Sequence, residues 1–364
     1  MSKSLTVSTT VLKELVNKAV KACSLVPEIL PTTVVEIKLE SGVLSVTGTD
    51  TNNYVTLFKN DVVGEDFRVA ASAKLLSQLV SKITTQNITL TLTDSKLLVE
   101  GNGKYSIELK IDEFGNTVTF PELPFDDSVE SKQITSDQLK SVLTVSKSCK
   151  SDMKEAVILY NYYFDSEKIL TTDLYKACIN PVAFFNVPVC LPPRLVELIP
   201  LVADEAGVTV QLSGDAVLFS STRGRLYGKT CHQEDTAQYP EAGLVQLFGE
   251  QMEYSVRVSR TSLASALDRL LLVNGAYGNN VIKFVFNGSY LELKNERAQS
   301  SETLNYFNEP LEISATSIDM DGTCMYGVIS SQMSEDLTLG FNLDASGIQL
   351  GSDDIMISVS AVEV

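Results

Sequence analysis

Several residue types on which enzymes and exported proteins depend are scarce or missing in this chain of 364 residues. It has no Trp and a single His, His232, which excludes a histidine-rich metal site and disfavours acid–base catalysis. Its six Cys are scattered without a Cys-x-x-Cys pair, which argues against a disulfide framework and against a zinc site. We therefore expect no metal and no cofactor, and buried thiols in a reducing cytosol.

Long apolar runs are also missing. No stretch approaches the 18 apolar residues of a membrane-spanning helix, so no membrane association is predicted. The first residues, Met1 to Thr6, lack the apolar core of a signal peptide, which predicts a cytoplasmic location. At 44% apolar residues, the chain has enough apolar surface to form buried cores, which excludes a disordered protein.

Basic residues are few, because 29 Lys and Arg face 46 Asp and Glu, for a net charge of −17. This balance by itself disfavours nucleic acid as a partner. The positive charges nevertheless concentrate in the windows with helical periodicity, which are mildly basic together. A surface shared by these helices could face phosphates while the remainder repels them. The alternative is that these Lys side chains are only solvated, as is usual on exposed helices.

One short pattern occurs six times: an apolar residue, a turn of small polar residues, then an apolar–x–apolar strand. Such a pattern is typical of a β-hairpin. The six copies lie at residues 39–46, 92–99, 164–171, 212–219, 286–293 and 343–350.

The spacing of these copies predicts the domain organisation. Successive copies start 53, 72, 48, 74 and 57 residues apart, alternately short and long. This alternation groups the copies into three pairs with a period of about 120 residues, which is the size of a domain. We predict three similar domains at residues 1–125, 126–246 and 247–364.

Helical periodicity precedes most of the hairpins. Apolar residues recur at helical spacing in 10–24, 71–83, 136–150 and 259–273, and shorter helices are predicted at 192–199 and 330–335. The fold class is therefore α+β, with each domain built from two copies of a helix followed by strands.

No catalytic constellation is found. The stretch from Gly224 to Thr230 has the glycines of a phosphate loop but one residue too few between them, and it alternates like a strand. Cys231 and His232 are adjacent, whereas a nucleophile and its base are rarely sequence neighbours. We predict that the protein is not an enzyme.

Several segments resemble bacterial-type DNA sliding clamps, the beta subunit of the replicative DNA polymerase. In the first domain these are Leu30-Pro31, Val34–Leu39, Gly42–Asp50, Val69–Leu76 and Phe120–Pro124. In the second domain, Leu170–Asp173 is similar to the family's Ala-Thr-Asp segment, and Tyr239-Pro240-Glu241 to its Phe-Pro-Asp segment. The resemblance covers the whole chain and implies three DNA-clamp domains that form half of a ring.

The resemblance implies a processivity factor. Two chains would form a head-to-tail homodimeric ring that encircles double-stranded DNA, slides on it without sequence preference and tethers the polymerase. The implied partners are duplex DNA, the replicative DNA polymerase, a clamp-loader ATPase and a second copy of the chain. The basic helices would face DNA, with these candidates: Lys13, Lys18, Lys21, Lys74, Lys82, Lys140, Lys147, Lys150, Arg194, Arg260 and Arg269.

The resemblance also implies a pocket for short apolar peptide motifs of the partners. Carried over by motif, the pocket residues are Leu159, Thr172, Leu174, Tyr175, Lys176, Ala177, Pro240, Leu244, Val245, Val359, Ala361 and Val362. The implied ring-closing contact joins Tyr105 and Ile107 of one chain to Leu272 and Val273 of the next. Without the resemblance, the apolar residues of the pocket would be interpreted as core or strand packing. The strand around Tyr105 and Ile107 would be interpreted as a blunted edge of a monomer, flanked by Lys104 and Lys110.

The chain departs from the family at the pocket. The family commonly has Gly, a basic residue or His, and Arg after Thr-Asp, where this chain has Leu174, Tyr175 and Lys176. Its tail, Val359 to Val364, lacks the family's Pro. These departures suggest a divergent clamp, such as one encoded by a phage. The alternative hypothesis is a protein-binding scaffold with the clamp fold that is not loaded on DNA.

Overall fold

The structure is a computed structural model that describes residues 3–111, 114–126, 128–274, 280–352 and 354–362. In chain order the helices are α1 Thr9–Val20, α2 Ala73–Lys82, α3 Ser136–Ser141, α4 Lys147–Cys149, α5 Val157–Tyr160, α6 Pro193–Val202, α7 Gln233–Ala237, α8 Glu241–Gly249, α9 Arg260–Asn274 and α10 Gly322–Ser331. Among the helices of these residues, none combines the length and the apolarity needed to cross a bilayer.

The strands all pair in antiparallel fashion within the described residues. They are β1 Lys3–Ser8, β2 Val34–Glu40, β3 Val43–Thr49, β4 Tyr54–Lys59, β5 Val63–Gly64, β6 Phe67–Ser72, β7 Asn87–Leu92, β8 Lys96–Glu100, β9 Lys104–Glu108, β10 Ser131–Ile134, β11 Tyr162–Phe164, β12 Ile169–Thr172, β13 Lys176–Asn180, β14 Val189–Leu191, β15 Val208–Ser213, β16 Ala216–Ser220, β17 Gly224–Lys229, β18 Tyr254–Ser259, β19 Val281–Phe286, β20 Tyr290–Asn295, β21 Ser300–Asn305, β22 Thr316–Asp321, β23 Asp336–Phe341, β24 Gly347–Ser352 and β25 Ile355–Ser360.

The chain divides into two compact units. The first, unit 1, comprises Met1–Ser136 and Arg194–Thr230, and the second, unit 2, comprises Asp137–Pro193 and Cys231–Val364. Strands from the first and middle thirds of the sequence share a sheet in unit 1, and strands from the middle and last thirds share one in unit 2. The division into three domains stays a prediction.

Unit 1 contains two sheets. One has five strands in the order β5-β1-β7-β8-β9, and the other has eight in the order β10-β15-β16-β17-β4-β3-β2-β6. Helix α1 packs on β3 at Gly48, where a Cβ atom would lie 2.0 Å from the carbonyl oxygen of Ala19. Only glycine allows the helix to approach the strand this closely.

Unit 2 also contains two sheets. The larger has the order β14-β11-β12-β13-β25-β24-β23-β18, and the smaller has the order β21-β20-β19-β22. Helices α9 and α10 pack against each other over a fully buried core that includes Phe284, Phe286 and Phe341. The rings of Phe286 and Phe341 stack with centroids 3.9 Å apart.

All six predicted hairpins are confirmed. They are formed by β2–β3, β7–β8, β11–β12, β15–β16, β19–β20 and β23–β24. The turn between β2 and β3 shows why the pattern is predictive. Ser41 and Gly42 both have positive φ, at 51° and 80°, which matches the twist of the flanking strands.

Two of the predicted helices differ from the structure. The window 136–150 is interrupted by a π-helical segment, Val142–Ser146, between α3 and α4. Thr171 on β12 donates a hydrogen bond to the carbonyl of Ser146 at 2.7 Å, which holds that irregular turn. The helix expected at 330–335 was misplaced. It lies at Gly322–Ser331, where Asp321 caps it by accepting from the N–H of Cys324.

All six cysteines are free, and four of them are buried. Burial raises the pKa of the Cys23 thiol to about 11 and that of Cys190 to about 12. The expectation of buried thiols is confirmed for Cys23, Cys149, Cys178 and Cys190, whereas Cys231 and Cys324 are half-buried.

We expect Glu335 to stabilise the start of α9 in a pH-dependent way. Hydrogen bonds from Ser259 and Thr261 lower the pKa of Glu335 from 4.5 to about 2. A carboxyl with a depressed native pKa contributes stability above its unfolded pKa and loses it as the pH falls through the native value. Glu335→Gln should lower the urea midpoint at pH 7, and the deficit should shrink between pH 4.5 and pH 2.

The matched control is Glu309→Gln, because the exposed Glu309 side chain makes no hydrogen bond among the described residues. Its urea midpoint should follow that of the wild type at every pH. A deficit for Glu335→Gln that stays constant down to pH 2 would contradict the assignment.

Candidate functional site

A cavity of about 170 Å³ lies in unit 2 beside helix α8, and we call it the α8 cavity. Strands β13 and β25 and the turn before β13 form the rest of its walls. Its lining residues are Thr172, Leu174, Tyr175, Lys176, Ala177, Pro240, Gly243, Leu244, Leu247, Ser358 and Ser360. Below it lies an apolar cluster that includes Leu170, Ala177, Leu244 and Phe248.

The turn between β12 and β13 forms the rim of the α8 cavity. Asp173 accepts hydrogen bonds from the N–H groups of Tyr175 and Lys176 at 3.0 and 2.9 Å, as Asp does in many turns. Leu174 then adopts a φ of +76°, which is unusual for a residue other than glycine. The turn presents Leu174 and Tyr175 to solvent, with 71% and 75% of their surfaces exposed.

The charge on the cavity wall is neutralised locally. The ammonium group of Lys176 lies 2.8 Å from the carboxylate of Asp173. Burial opposes the charge of Lys176, but the hydrogen bond and the charge of Asp173 outweigh it and raise the pKa of Lys176. The pair leaves the cavity without an unpaired ion among its lining residues.

Two tyrosines anchor the beginning of α8. The rings of Tyr163 on β11 and Tyr239 stack with centroids 4.7 Å apart. Tyr239 donates its hydroxyl hydrogen bond to the carbonyl of Leu170 at 3.1 Å, and Tyr163 donates to the carboxylate of Glu241. Burial, followed by the hydrogen bond to Glu241, raises the pKa of the Tyr163 phenol well above its ordinary value.

An ion-pair network extends this anchor. Lys168 lies 2.6 Å from Asp165 and 4.0 Å from Glu241. Burial disfavours the charge on Asp165, yet the hydrogen bonds from Lys168 and from two backbone N–H groups outweigh burial and lower its pKa. The first turn of α8 is therefore held on the sheet by stacking, hydrogen bonds and charge.

Strand β25 contributes hydroxyl groups to the cavity. In the antiparallel pair of β13 and β25, Ala177 lies opposite Ser358 and Lys176 opposite Val359. Side chains alternate along a strand, so Ser358 and Ser360 share the face that lines the cavity, whereas Val359 points into the core of unit 2. The predicted pocket role of Val359 is therefore corrected, because its side chain is buried on the opposite face.

The predicted pocket residues separate into two groups. Seven line the α8 cavity: Thr172, Leu174, Tyr175, Lys176, Ala177, Pro240 and Leu244. Of the others besides Val359, Leu159 and Val362 are half-buried, Val245 is exposed on α8, and Ala361 packs on the core of unit 2. The sequence analysis missed Gly243, Leu247, Ser358 and Ser360. The alternation of β25 is the signal that would have indicated the two serines.

Most of the predicted DNA-facing cations lie on the surface, but several are paired with carboxylates. Ion pairs join Lys18 to Glu14, Arg194 to Asp50, Arg260 to Glu335 and Arg269 to Glu302. Lys13 donates a hydrogen bond to the carbonyl of Ser81 on α2 at 3.3 Å.

Four of the cations have exposed ammonium groups without an ion pair among the described residues, namely Lys21, Lys74, Lys82 and Lys140. Lys147 is exposed too. Lys150 must be corrected, because it is buried: its ammonium group donates to Ser151 and Asp152 at 3.0 Å and lies 4.7 Å from the centre of the Tyr160 ring. It is not a surface cation.

The predicted ring-closing residues occupy two exposed places. Strand β9 is the edge of its sheet in unit 1, and Tyr105 on it is exposed. On α9 of unit 2, Leu272 is 81% exposed, and Val273 is exposed as well. The predicted contact of the Ile107 side chain must be corrected. This side chain is only 2% exposed because it points into the core of unit 1. Only the backbone of Ile107 lies at the open edge of the sheet.

No group of three or more His, Cys, Asp or Glu side chains that could hold a metal ion occurs in the part of the chain that the structure describes.

Comparison with known proteins identifies the fold. No protein-family model matches the sequence, and no curated protein matches it. Among solved structures, the DNA polymerase sliding clamp of Bacillus subtilis superposes with a TM-score of 0.85 at 18% identity over the full length of both chains. The beta clamp of Helicobacter pylori bound to a DNA ligase peptide gives 0.81 at 12% identity, over 99% of this chain and 100% of that one. A sliding clamp of Pseudomonas aeruginosa bound to griselimycin gives 0.82 at 14% identity over both full chains.

The chain therefore has the fold of the bacterial sliding clamps over its whole length, with low sequence identity. The α+β class and the resemblance to a divergent member of this group, both predicted from the sequence, are confirmed at the level of the fold.

We expect Tyr163→Phe to loosen α8 without removing the ring stack. The substitution deletes the hydrogen bond to Glu241 and should lower the free energy of unfolding by about 1 kcal/mol, as for a bond to a partly solvated charge. Thermal or urea unfolding measures the change. The control is Tyr175→Phe, whose hydroxyl makes no hydrogen bond among the described residues and whose stability should equal that of the wild type. Equal losses in the two variants would contradict the anchor.

Proposed function

We propose that this protein is a DNA polymerase processivity factor. Two copies would close into a head-to-tail ring that encircles duplex DNA, slides on it and tethers the replicative polymerase. The observation that carries the proposal is the match of the entire chain, rather than of one domain, to sliding clamps at TM-scores of 0.81 to 0.85. A clamp acts by encircling DNA and by binding partners, so this function requires no catalytic group and no cofactor.

The proposed ring closes through two unpaired strand edges. Strand β9 is an edge in unit 1, and β21 is an edge in unit 2. An exposed edge presents unpaired N–H and C=O groups that a second strand can pair with. Helix α9 packs beside β21, so Leu272 and Val273 would flank the new strand pair and bury apolar surface against Tyr105 of the second copy.

The proposed DNA contacts come from the helices. The unpaired ammonium groups of Lys21, Lys74, Lys82 and Lys140 would interact with phosphates at long range, and Lys13 and Lys147 would contribute as well. Lys18, Arg194, Arg260 and Arg269 would contribute less, because each is partly neutralised by a carboxylate. Contacts to phosphates carry no sequence information, which suits a ring that slides.

The α8 cavity is the proposed docking site for the polymerase and for a clamp-loader ATPase. Its apolar floor, exposed rim and neutralised charge suit a few apolar anchor residues of a short peptide. Two of the structural neighbours were solved with a peptide or with griselimycin bound. A scaffold that is not loaded on DNA would keep this cavity but would have no need of the ring.

We expect the protein to be a dimer in solution, with a mass about twice the 39.7 kDa of the chain. Light scattering at several concentrations measures it. Leu272→Asp should raise the dimer dissociation constant at least tenfold without unfolding the monomer, since Leu272 is almost fully exposed. The matched control is Leu343→Asp, another exposed leucine, which should remain dimeric. A wild type that stays monomeric at all concentrations would exclude a ring that closes unaided.

We expect the ring to distinguish circular from linear DNA. The protein is mixed with nicked circular plasmid at a concentration where light scattering shows that part of the dimer has dissociated, and the complex is isolated by gel filtration. Protein should stay on the circle and leave when a restriction enzyme opens it, because a ring slides off an end. Equal loss from both forms would favour the scaffold alternative. Charge reversal of Lys74 and Lys82 together should speed the loss from circles.

A further inference from the structure

The eight-stranded sheets of the two units are built on the same plan. Counted from β6, the sheet of unit 1 has the order β6-β2-β3-β4-β17-β16-β15-β10. Counted from β14, the sheet of unit 2 has the order β14-β11-β12-β13-β25-β24-β23-β18. The antiparallel pair of β4 and β17 thus takes the place in unit 1 that the pair of β13 and β25 takes in unit 2. Unit 1 therefore contains an equivalent of the strand wall of the α8 cavity.

The turn at the rim of the α8 cavity also has an equivalent in unit 1. Between β3 and β4, Thr49 accepts a hydrogen bond from the N–H of Thr51 and donates one to the carbonyl of Asn53, both at 2.8 Å. Thr172, between β12 and β13, makes the same two bonds two and four residues ahead, at 3.0 and 2.8 Å. Thr51 and Leu174 both have positive φ, at 81° and 76°. Thr49 therefore occupies the position of Thr172.

The segment that crosses each sheet begins with an aromatic residue, Pro and Glu. This motif is 120–122 in unit 1 and 239–241 in unit 2. Equivalent strands hold the two segments, because the N–H of Phe120 donates to Glu36 on β2 at 3.0 Å, and Tyr239 stacks on Tyr163 of β11. Unit 2 then continues into α8, whereas residues 121–126 of unit 1 are not helical.

Aromatic rings occupy the positions in unit 1 where the α8 cavity has small residues. Tyr54 lies opposite Tyr227 in the strand register, as Ala177 lies opposite Ser358 in unit 2. The rings of Tyr54 and Tyr227 meet edge to face with centroids 6.3 Å apart. Phe125, from the crossing segment, places its ring 6.5 Å from that of Tyr227. The three rings therefore fill the space that is open between β13, β25 and α8 in unit 2.

These rings are held by further packing. The ring of Tyr54 meets that of Phe120 edge to face at 6.1 Å, an arrangement that aromatic pairs favour. Phe120 is itself buried in an apolar cluster with Val34 and Ala70. The side chains that close the space in unit 1 are thus fixed on the core of the unit.

We propose that unit 1 contains a second, latent docking site for a short peptide with an apolar anchor, which the chain closes with the rings of Tyr54, Phe125 and Tyr227. The inference rests on the proposed function, because it takes the α8 cavity as the docking site of which this one is a copy. It adds a second site and the residues that keep it closed. Removal of the rings opens the space between the β4–β17 pair and the crossing segment.

The test counts the peptides that each full-length chain binds. Protein is dialysed to equilibrium against the labelled peptide fluorescein-Gly-Ser-Leu-Ser-Phe-Gly. The wild type should bind one peptide, and the opening variant, Tyr54→Ala with Phe125→Ala and Tyr227→Ser, should bind two. Ser358→Tyr puts a ring into the α8 cavity at the position equivalent to Tyr227 and should bind none. The opening substitutions should add one peptide in this background too.

The matched control is Tyr290→Ser, which removes an exposed tyrosine on β20, outside both sites. It should bind the same number of peptides as the wild type. Thermal unfolding checks that every variant is folded. If the opening variant is unfolded, the smaller pair Phe125→Ala and Tyr227→Ser replaces it. This pair keeps Tyr54 on Phe120 and should also add one peptide.

A folded opening variant that binds no more peptide than its own background, with or without Ser358→Tyr, would overturn the inference. The added peptide is counted against each background, so this result is independent of binding at the α8 cavity. A wild type that binds no peptide would instead contradict the docking role in the proposed function. Solution mass and retention on circular DNA test the ring separately.

Discussion

The antiparallel pairing of β13 with β25 is the interaction on which the α8 cavity depends. It brings together residues about 180 positions apart, with Lys176 opposite Val359 and Ala177 opposite Ser358. The pairing joins strands of the middle and last thirds of the chain into one sheet. Because side chains alternate along β25, the same register that buries Val359 in the core turns Ser358 and Ser360 toward the cavity.

Helix α8 forms the other wall of the α8 cavity, and stacking and side-chain hydrogen bonds hold it in place. No side-chain hydrogen bond from its N-cap residue, Pro240, caps the beginning of helix α8. Its start is fixed by the stacked rings of Tyr163 and Tyr239 and by the carboxylate of Glu241, which accepts from Tyr163. With the helix held at one end, this wall of the α8 cavity is fixed against the sheet.

Many charged side chains of the protein are likewise paired with a neighbouring group. The chain is strongly acidic, and its carboxylates neutralise many of its own cations, among them Arg194, Arg269 and Lys176. Other cations, such as Lys74 and Lys82 on α2, have no ion pair among the described residues. On α2, this leaves exposed ammonium groups in a protein that is acidic as a whole.

The sequence by itself determined the hairpins, most of the helices and the fold class, because turn residues and periodicity act over short distances. The family resemblance, rather than any local pattern, supplied seven residues of the cavity lining. It placed Val359 and Ala361 in the pocket in place of Ser358 and Ser360, and it counted buried Lys150 as a surface cation. Those errors share one cause. Which face of a strand is covered, and which carboxylate lies beside a cation, depend on segments far away in the chain. Only the tertiary structure decides the register of β13 on β25 and the position of α8.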